Sequence, residues 1–314
     1  MITAAVTLLG YAALLAAFGP RILDRARWTN AMPRLAIATW FAMAASFLLA
    51  AALAGAAIVM PTEGLTGHSV EFIGTCITEL QETYGEAGGL ALVTLGAGLT
   101  WGLPGWLAAS GVSVAFRTSR RRRELRRRLA LTGHDRSAGV AILDSPDPKA
   151  YCLPGEGGLI VVTSAAVKLL DESGLAAVLA HERAHLVGRH HLLMTLAQIG
   201  RRALVWLPLF SRLPDRIGHL VELAADDAAT RRTPRLILAR TLFELAASRT
   251  PGEALAATGG DTVARIERLL DTPTGPGPAG IGSILGGSLT AIAMPVVITL
   301  VPVLTTAGMA CCFI

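Results

Sequence analysis

The stretch HERAHLVGRHH, His181 to His191, decides the fold. It contains HExxH at His181, Glu182 and His185. With Gly188 and His191 it also completes HExxHxxGxxH, in which a third histidine closes a zinc site. On a helix, His181 and His185 lie a turn apart on one face, so both imidazoles can reach one ion. Glu182 projects beside them and can take a proton from a water that zinc has acidified toward pKa ~7, which is metal-assisted peptide hydrolysis. The competing view, two helical histidines that pack without metal, is disfavoured because all three residue types occur at the required spacing on a predicted helix.

The third ligand separates two kinds of site. For His191 to serve, the helix must end near Gly188 and turn back toward the metal. Glycine permits that turn, but the following RHHLLMTLAQIG is helix-forming and has no second breaker. In a continuing helix His191 points away from His185. A methionine turn is also missing, since Met194 is too close and Met294 lies in an apolar segment. The competitor is Glu222 in VELAADDA, with Asp226 four residues on. Glu222 can bind zinc while Asp226 orients a ligand histidine from behind. Alone, such a pair reads as solvated helix acids. On the next helical stretch, 37 residues after His185, it becomes a strong signal. His219 shares the face of Glu222 and reads more simply as a surface histidine.

The rest of the chain is apolar. A mean hydropathy of +0.53 with 16% charged residues excludes an ordinary soluble globule. Four segments are free of acidic and basic residues: about Ile2 to Gly19, Leu35 to Met60, Gly88 to Phe116, and Ile281 to the C-terminus. Each is long enough for a hydrocarbon core that needs roughly 20 apolar residues. The first reads as a retained helix, because no positive charge precedes it and Pro20 follows directly.

The loops set an orientation. Arg21, Arg25, Arg27 and Arg34 follow the first segment, and Arg117 with RRRRELRRR, Arg120 to Arg128, follows the third. The loop from Pro61 to Ala87 carries Glu63, Glu71, Glu79, Glu82 and Glu86 without Lys or Arg. By the positive-inside rule the basic loops are cytosolic and both termini lie outside, in a plasma membrane. The net charge of +5 sits beside membrane segments, where it marks topology and meets lipid headgroups, so direct nucleic-acid binding is not expected. Cys152 falls in the reducing cytosol. A bridge from Cys76 to Cys311 or Cys312 stays open. A homo-oligomer is compatible with the sequence, which does not fix the state.

The cytosolic part begins with two β-rich runs, Val140 to Leu143 and Leu159 to Thr163, read as a small sheet and a hairpin. A helix starts near Asp171, and HLVELAADDAATRR forms another. The apolar stretch HLLMTLAQIGRRALVWLPLFSRLP is interrupted by Arg201 and Arg202, which suits a core or membrane-surface helix better than a fifth crossing. DTPTGPGPAGIGSILGG, Asp271 to Gly287, reads as a flexible linker. The expected fold is mainly α: a polytopic membrane protein with a cytosolic α+β zincin-like domain containing a small β-sheet. Residues 1–116 hold three membrane helices, 117–280 the metallopeptidase domain, and 281–314 the fourth membrane helix.

HExxH at His181 to His185 followed by ExxAD at Glu222 to Asp226 resembles the membrane-embedded gluzincins, which include HtpX and the CAAX-prenyl endopeptidases. Three spans, a cytosolic peptidase domain and a fourth span look most similar to the BlaR/MecR-type antirepressor peptidases, here without a penicillin-binding sensor segment. The resemblance implies one Zn2+ per chain held by His181, His185 and Glu222. It implies Glu182 as general base and later acid, Asp226 as the residue behind the ligands, and Leu159, Ile160, Val161, Val162 and Thr163 as the edge strand that receives substrate. Arg231 and Arg232 are candidates to stabilise the oxyanion by sequence proximity alone. The expected function is a zinc endopeptidase that cuts a cytosolic protein, for example a transcriptional repressor. The alternatives are HtpX-like quality control of membrane proteins and a noncatalytic metal-binding sensor or scaffold.

Overall fold

A computed structural model describes residues 2–59, 87–131, 136–137, 139–155, 157–248, 259–271 and 274–311. The acidic loop and Cys76, and with them the open cysteine pairing, lie outside the described residues. Helix α1 spans Ile2–Arg25, the short α2 Trp28–Ala31, and α3 Pro33–Val59. Helix α4, Ala87–Ala97, runs through a π turn at Gly98–Gly102 into α5, Leu103–Leu131. Among the described residues four helical segments are long and apolar enough to cross a membrane: Ile2–Arg25, Pro33–Val59, Gly89–Arg127 and Pro278–Val301.

Helix α3 is the hub of this bundle. A Cβ placed on Gly55 would lie 2.6 Å from the Gly96 carbonyl, so glycine is what lets α3 and α4 approach backbone to backbone. On another face, α3 meets α12, Pro278–Cys311. Pro295 has no N–H and leaves the Ala291 carbonyl of α12 without its helical donor. Tyr11 Oη and Ser46 Oγ donate to that carbonyl at 2.8 and 2.6 Å, replacing the lost bond between two helices that are apolar enough to cross a membrane. Because α12 begins at Pro278, the flexible linker is shorter than the sequence suggests. Proline suits a first helical turn, and glycine is tolerated in membrane helices.

The sheet has the order β1 (Arg136–Ser137), β2 (Val140–Leu143), β4 (Leu159–Thr163), β3 (Ala150–Leu153). Two expectations are corrected here. The runs at Val140 and Leu159 pair in parallel and are not a hairpin; the hairpin is β3–β4. Residues Leu159, Ile160, Val161, Val162 and Thr163 form an inner strand with both edges occupied, so they cannot receive a substrate backbone. Among the described residues the free edge on that side belongs to β3. The burial of Ile160, Val161 and Val162 agrees with an inner position, where both faces of a strand are covered.

Helix α6, Ser164–Leu169, leads to α7, Glu172–Val187, capped by Asp171, whose carboxylate accepts from Gly174 N at 2.7 Å. The expectation of a continuous helix beyond Gly188 is also corrected. Arg189 adopts a left-handed conformation at φ 48°, and a new helix α8 runs over His190–Ala203. Helix α9, Pro208–Ala229, returns antiparallel to it. The apolar stretch is therefore a helical hairpin. Ala203, Leu209, Phe210, Leu213 and Ile217 share one core with Leu8, Trp40 and Phe47 of the apolar bundle. Phe210 meets Phe47 edge to face at 5.4 Å, and Trp106 Nε1 donates to the Ala203 carbonyl at 3.1 Å. Helices α10, Arg235–Ala247, and α11, Gly259–Leu270, close the far side of α7.

Candidate metal centre

Helix α7 presents His181 and His185 on one face, and α9 crosses it with Glu222 opposite. The two Nε2 atoms lie 3.0 Å apart. Glu222 Oε2 is 3.4 Å from His181 Nε2, and its Oε1 is 3.4 Å from His185 Nε2. Ligand atoms held at 2.0–2.1 Å by one tetrahedral zinc are separated by about 3.3 Å. The triangle has that size. The donor set fits too, because two imidazole nitrogens and a carboxylate oxygen facing one point are the ligands that a zinc ion takes.

Behind the triangle stand three further side chains. Asp226, fully buried, places Oδ1 3.0 Å from His181 Nδ1, a contact whose angle falls short of a full hydrogen bond. Arg265 of α11 grips Asp226 with two hydrogen bonds of 2.8 and 2.7 Å and reaches Glu222 Oε2 at 2.9 Å. His190 Nδ1 lies 2.9 Å from His185 Nδ1. The left-handed Arg189 thus turns the chain back, as the long motif requires, but it delivers His190 to the rear of His185. His191 points elsewhere, into a separate cavity with Arg183, Arg189 and Arg232.

These contacts bias the titration of the site. Burial depresses His181, but Asp226 and Glu222 outweigh it and hold the imidazole up at about 9. Burial pulls His185 down to about 4, although Glu222 opposes the fall. Burial also raises Glu222, yet the close contact with His181 and the charge of Arg265 bring it to about 2. Asp226 is lowered against its own burial by the hydrogen bonds from Arg265 and by its contact with His181. Glu182 is raised, chiefly by burial, with the like charge of Glu222 adding to it. A carboxylate with a raised pKa is a better proton acceptor than one in water.

The site opens into a cavity of about 410 Å³ whose walls include Glu182, Arg265, β3 and the apolar Val178, Leu238 and Leu242. Cys152 of β3 faces Glu182, and burial followed by that carboxylate pushes its thiol up to about 12, so it is a neutral thiol. The sequence candidates Arg231 and Arg232 are exposed, and Arg232 lines the other cavity, so neither reaches the cleft. Lys149 and Arg265 are the cations among the described lining of the cleft, and Arg265 is the one that touches the triangle. It escaped sequence reasoning because 39 residues separate it from Asp226 and no spacing rule connects α9 to α11. His219 meets Asp261 at 3.3 Å and Asn30 at 3.4 Å, away from the triangle.

Comparison with known proteins agrees with this geometry over part of the chain. Residues 117–213 match the family model for peptidase family M48. That segment contains HExxH and ends before Glu222, so the third vertex rests on geometry. The mitochondrial metalloendopeptidase OMA1 of Schizosaccharomyces pombe is 42% identical over 69 residues, which is 22% of this chain and 20% of that protein. The chain thus spans about a fifth of the length of the curated relative it matches. No solved structure matches. Over the segment that carries its two histidines and their glutamate, the chain is similar to the metallopeptidases of family M48.

Proposed function

We propose that the chain is a membrane-anchored zinc endopeptidase that cuts a cytosolic protein in regulatory proteolysis of the BlaR/MecR type, for example of a transcriptional repressor. One observation carries this reading: the triangle of His181, His185 and Glu222 shares its cleft with Glu182 and with the unpaired edge of β3. His181, His185 and Glu222 would hold Zn2+. Bound there, zinc supplies Lewis-acid polarisation of a peptide carbonyl and acidifies water.

The protein's own groups do the rest. Lys149 O accepts from Thr163 N, so by antiparallel alternation the backbone groups of Ala150 and Cys152 face the open edge. An extended substrate pairs with them and is drawn across Glu182. Glu182, in its low-dielectric site, accepts the proton of the attacking water and returns it to the leaving amine. Asp226 and His190 fix the two imidazoles from behind, and Arg265 holds Asp226 and Glu222 in place. The basic loops lie inside and the termini outside, in the plasma membrane.

Metal content and peptide cleavage in the wild type and the variants Glu222→Ala, His191→Ala and Glu182→Gln test the assignment. Glu222→Ala is expected to lose zinc, His191→Ala to keep it, and Glu182→Gln to keep zinc while losing cleavage. Retained cleavage in Glu182→Gln would remove Glu182 as the base, and no cleavage by the zinc-loaded wild type would make the site structural. The apolar lining from Val178, Leu238 and Leu242 supports a second reading, a quality-control peptidase that accepts many unfolded segments. Cleavage of one site in one protein favours the regulator, and cleavage of many apolar sites favours quality control.

A further inference from the structure

A cavity of about 410 Å³ lies behind His185, between the start of α3, the α7–α8 turn and α9. That is the size range of small-molecule sites. It shares no lining residue with the catalytic cleft. Its walls are apolar, with Ile37, Val187, Leu193 and Ala224 among them, and the two polar side chains in its described lining are Arg34 and His190. The segments that frame it, 34–37, 184–193 and 224–228, are described throughout. Their two carboxylates are engaged elsewhere, Asp226 with Arg265 and Asp227 with Arg268. Arg34 is exposed and has no acidic partner among the described residues, and its charge reaches His190.

The hydrogen bond between the two imidazoles decides what His190 offers to this void. His185 turns the Nε2 lone pair toward the triangle, so its proton sits on Nδ1 and is donated to His190 Nδ1 at 2.9 Å. His190 then carries its own proton on Nε2. That N–H lies over Gly188, where a Cβ would collide with it, so glycine is what leaves space in front of the donor. His190 is 8% exposed, and among the described residues no acceptor meets its Nε2. A buried donor without an acceptor is costly. The cavity therefore holds one unpaired guanidinium and one unpaired N–H in an otherwise apolar lining.

We infer that this cavity binds a small aliphatic monocarboxylate, whose oxygens accept from Arg34 and from His190 Nε2 and whose chain lies against Ile37, Val187 and Leu193. One positive charge and one neutral donor match a carboxylate. A phosphate would bring a further oxygen and more charge against apolar walls that cannot satisfy them. The carboxylate holds His190, and His190 holds His185, so the ligand acts on the metal centre from outside the cleft. This assignment rests on the metal centre for the direction of the His185 proton. By linkage, zinc and the carboxylate tighten each other by the same factor.

The test is calorimetric titration of the full chain in an uncharged detergent with octanoate, octanol or inorganic phosphate, with and without zinc. Titration into detergent alone gives the blank. The wild type is compared with Arg34→Gln and with Ala228→Leu, which fills the cavity from α9; neither residue belongs to the triangle. One octanoate per chain is expected, bound about 10- to 100-fold more weakly by Arg34→Gln and lost in Ala228→Leu, with zinc content unchanged in both. Zinc is expected to tighten octanoate by at least about fivefold in the wild type. Unchanged octanoate binding in Arg34→Gln places the ligand elsewhere, the metal included, and overturns the site. Octanol or phosphate binding as tightly as octanoate overturns the monocarboxylate, and binding that ignores zinc overturns the link to His185. A zinc-loaded wild type that takes no octanoate overturns the inference and leaves the metal centre standing. A chain that takes up no zinc refutes the metal centre, and the dependence of octanoate binding on Arg34 in that metal-free chain still decides the site.

Discussion

Arg265 is the side chain on which the geometry of the centre most depends, and its removal has a calculable cost. Asp226 is 1% exposed and Arg265 11%, and two hydrogen bonds of 2.8 and 2.7 Å join them. Replacing Arg265 by methionine keeps most of the volume but leaves a buried carboxylate whose remaining cationic partner is His181. Breaking a buried pair from one side costs ~3–5 kcal/mol. In a cooperative unit of roughly 150–200 residues that lowers Tm by about 10 °C. The bond to Glu222 contributes less, because Glu222 is 37% exposed and solvent screens it. Zinc supplies positive charge close to the same carboxylates, so it is expected to restore much of the loss. The assay is a double-mutant cycle, Arg265→Met, Asp226→Asn and both together, followed by thermal unfolding with and without zinc. A coupling of about 3 kcal/mol is expected without metal and a smaller one with it. Additivity within ~0.5 kcal/mol, or a coupling unchanged by zinc, would refute the reasoning.

His190→Ala is expected to weaken zinc binding by ~10–100-fold, because the imidazole behind His185 is lost; a cobalt-substituted protein with an unaltered visible spectrum would contradict this. Ala150→Pro removes an N–H that faces away from β4, a substitution that an edge strand tolerates. Fold and zinc are expected to stay and cleavage to fall at least ~10-fold, and undiminished cleavage would mean that substrate does not pair with β3. The metal-free protein is expected to lose stability in both pH directions. Glu222, at about 2 when folded against ~4.3 unfolded, stabilises above the unfolded value and loses that contribution as pH falls toward 2. His181, at about 9 when folded against ~6.5 unfolded, stabilises below pH ~6.5 and loses that contribution as pH rises through 9. At pH ~7 zinc must displace the proton of His181, so calorimetry in buffers of different ionisation enthalpy should detect about one proton released per ion. A chain shortened to begin at Arg117 uncovers Leu209, Phe210, Leu213 and Ile217, and is expected to aggregate. A soluble, monomeric, zinc-binding fragment would disprove the dependence on the bundle.

What the sequence made legible was local. HExxH needs one helical period, and Asp171 caps α7 through a contact three residues away. The apolar helices follow from runs of residues longer than any core helix requires. What stayed hidden was long-range or paid for by tertiary contacts. No pattern in Ala150 to Leu153 distinguishes an edge from a centre, because strand order depends on which neighbours arrive on each side. The break at Arg189 places a non-glycine residue at φ 48°, against its intrinsic preference. The compensation is the contact of His190 with His185 and the packing of α8 on α5 and α9. Arg265 combines both difficulties, since its partners lie on another helix and its neighbours in sequence give it an ordinary amphipathic setting.

Helix α9 explains why the bundle and the site cannot be understood apart. Its first half carries Phe210, Leu213 and Ile217 into the core shared with α1 and α3, and its second half carries Glu222 and Asp226. Phe210 and Glu222 are twelve residues apart, about 18 Å along one helix. Asp24 at the end of α1 takes Arg212 at 3.1 Å and Arg216 at 2.9 Å, so α9 is also pinned to the bundle by charge midway between core and site. The two histidines come from α7, which rests on the sheet and on α10. The triangle is therefore assembled from one wall fixed to the sheet and one wall fixed to the apolar helices, and its dimensions depend on how those two bodies are held together.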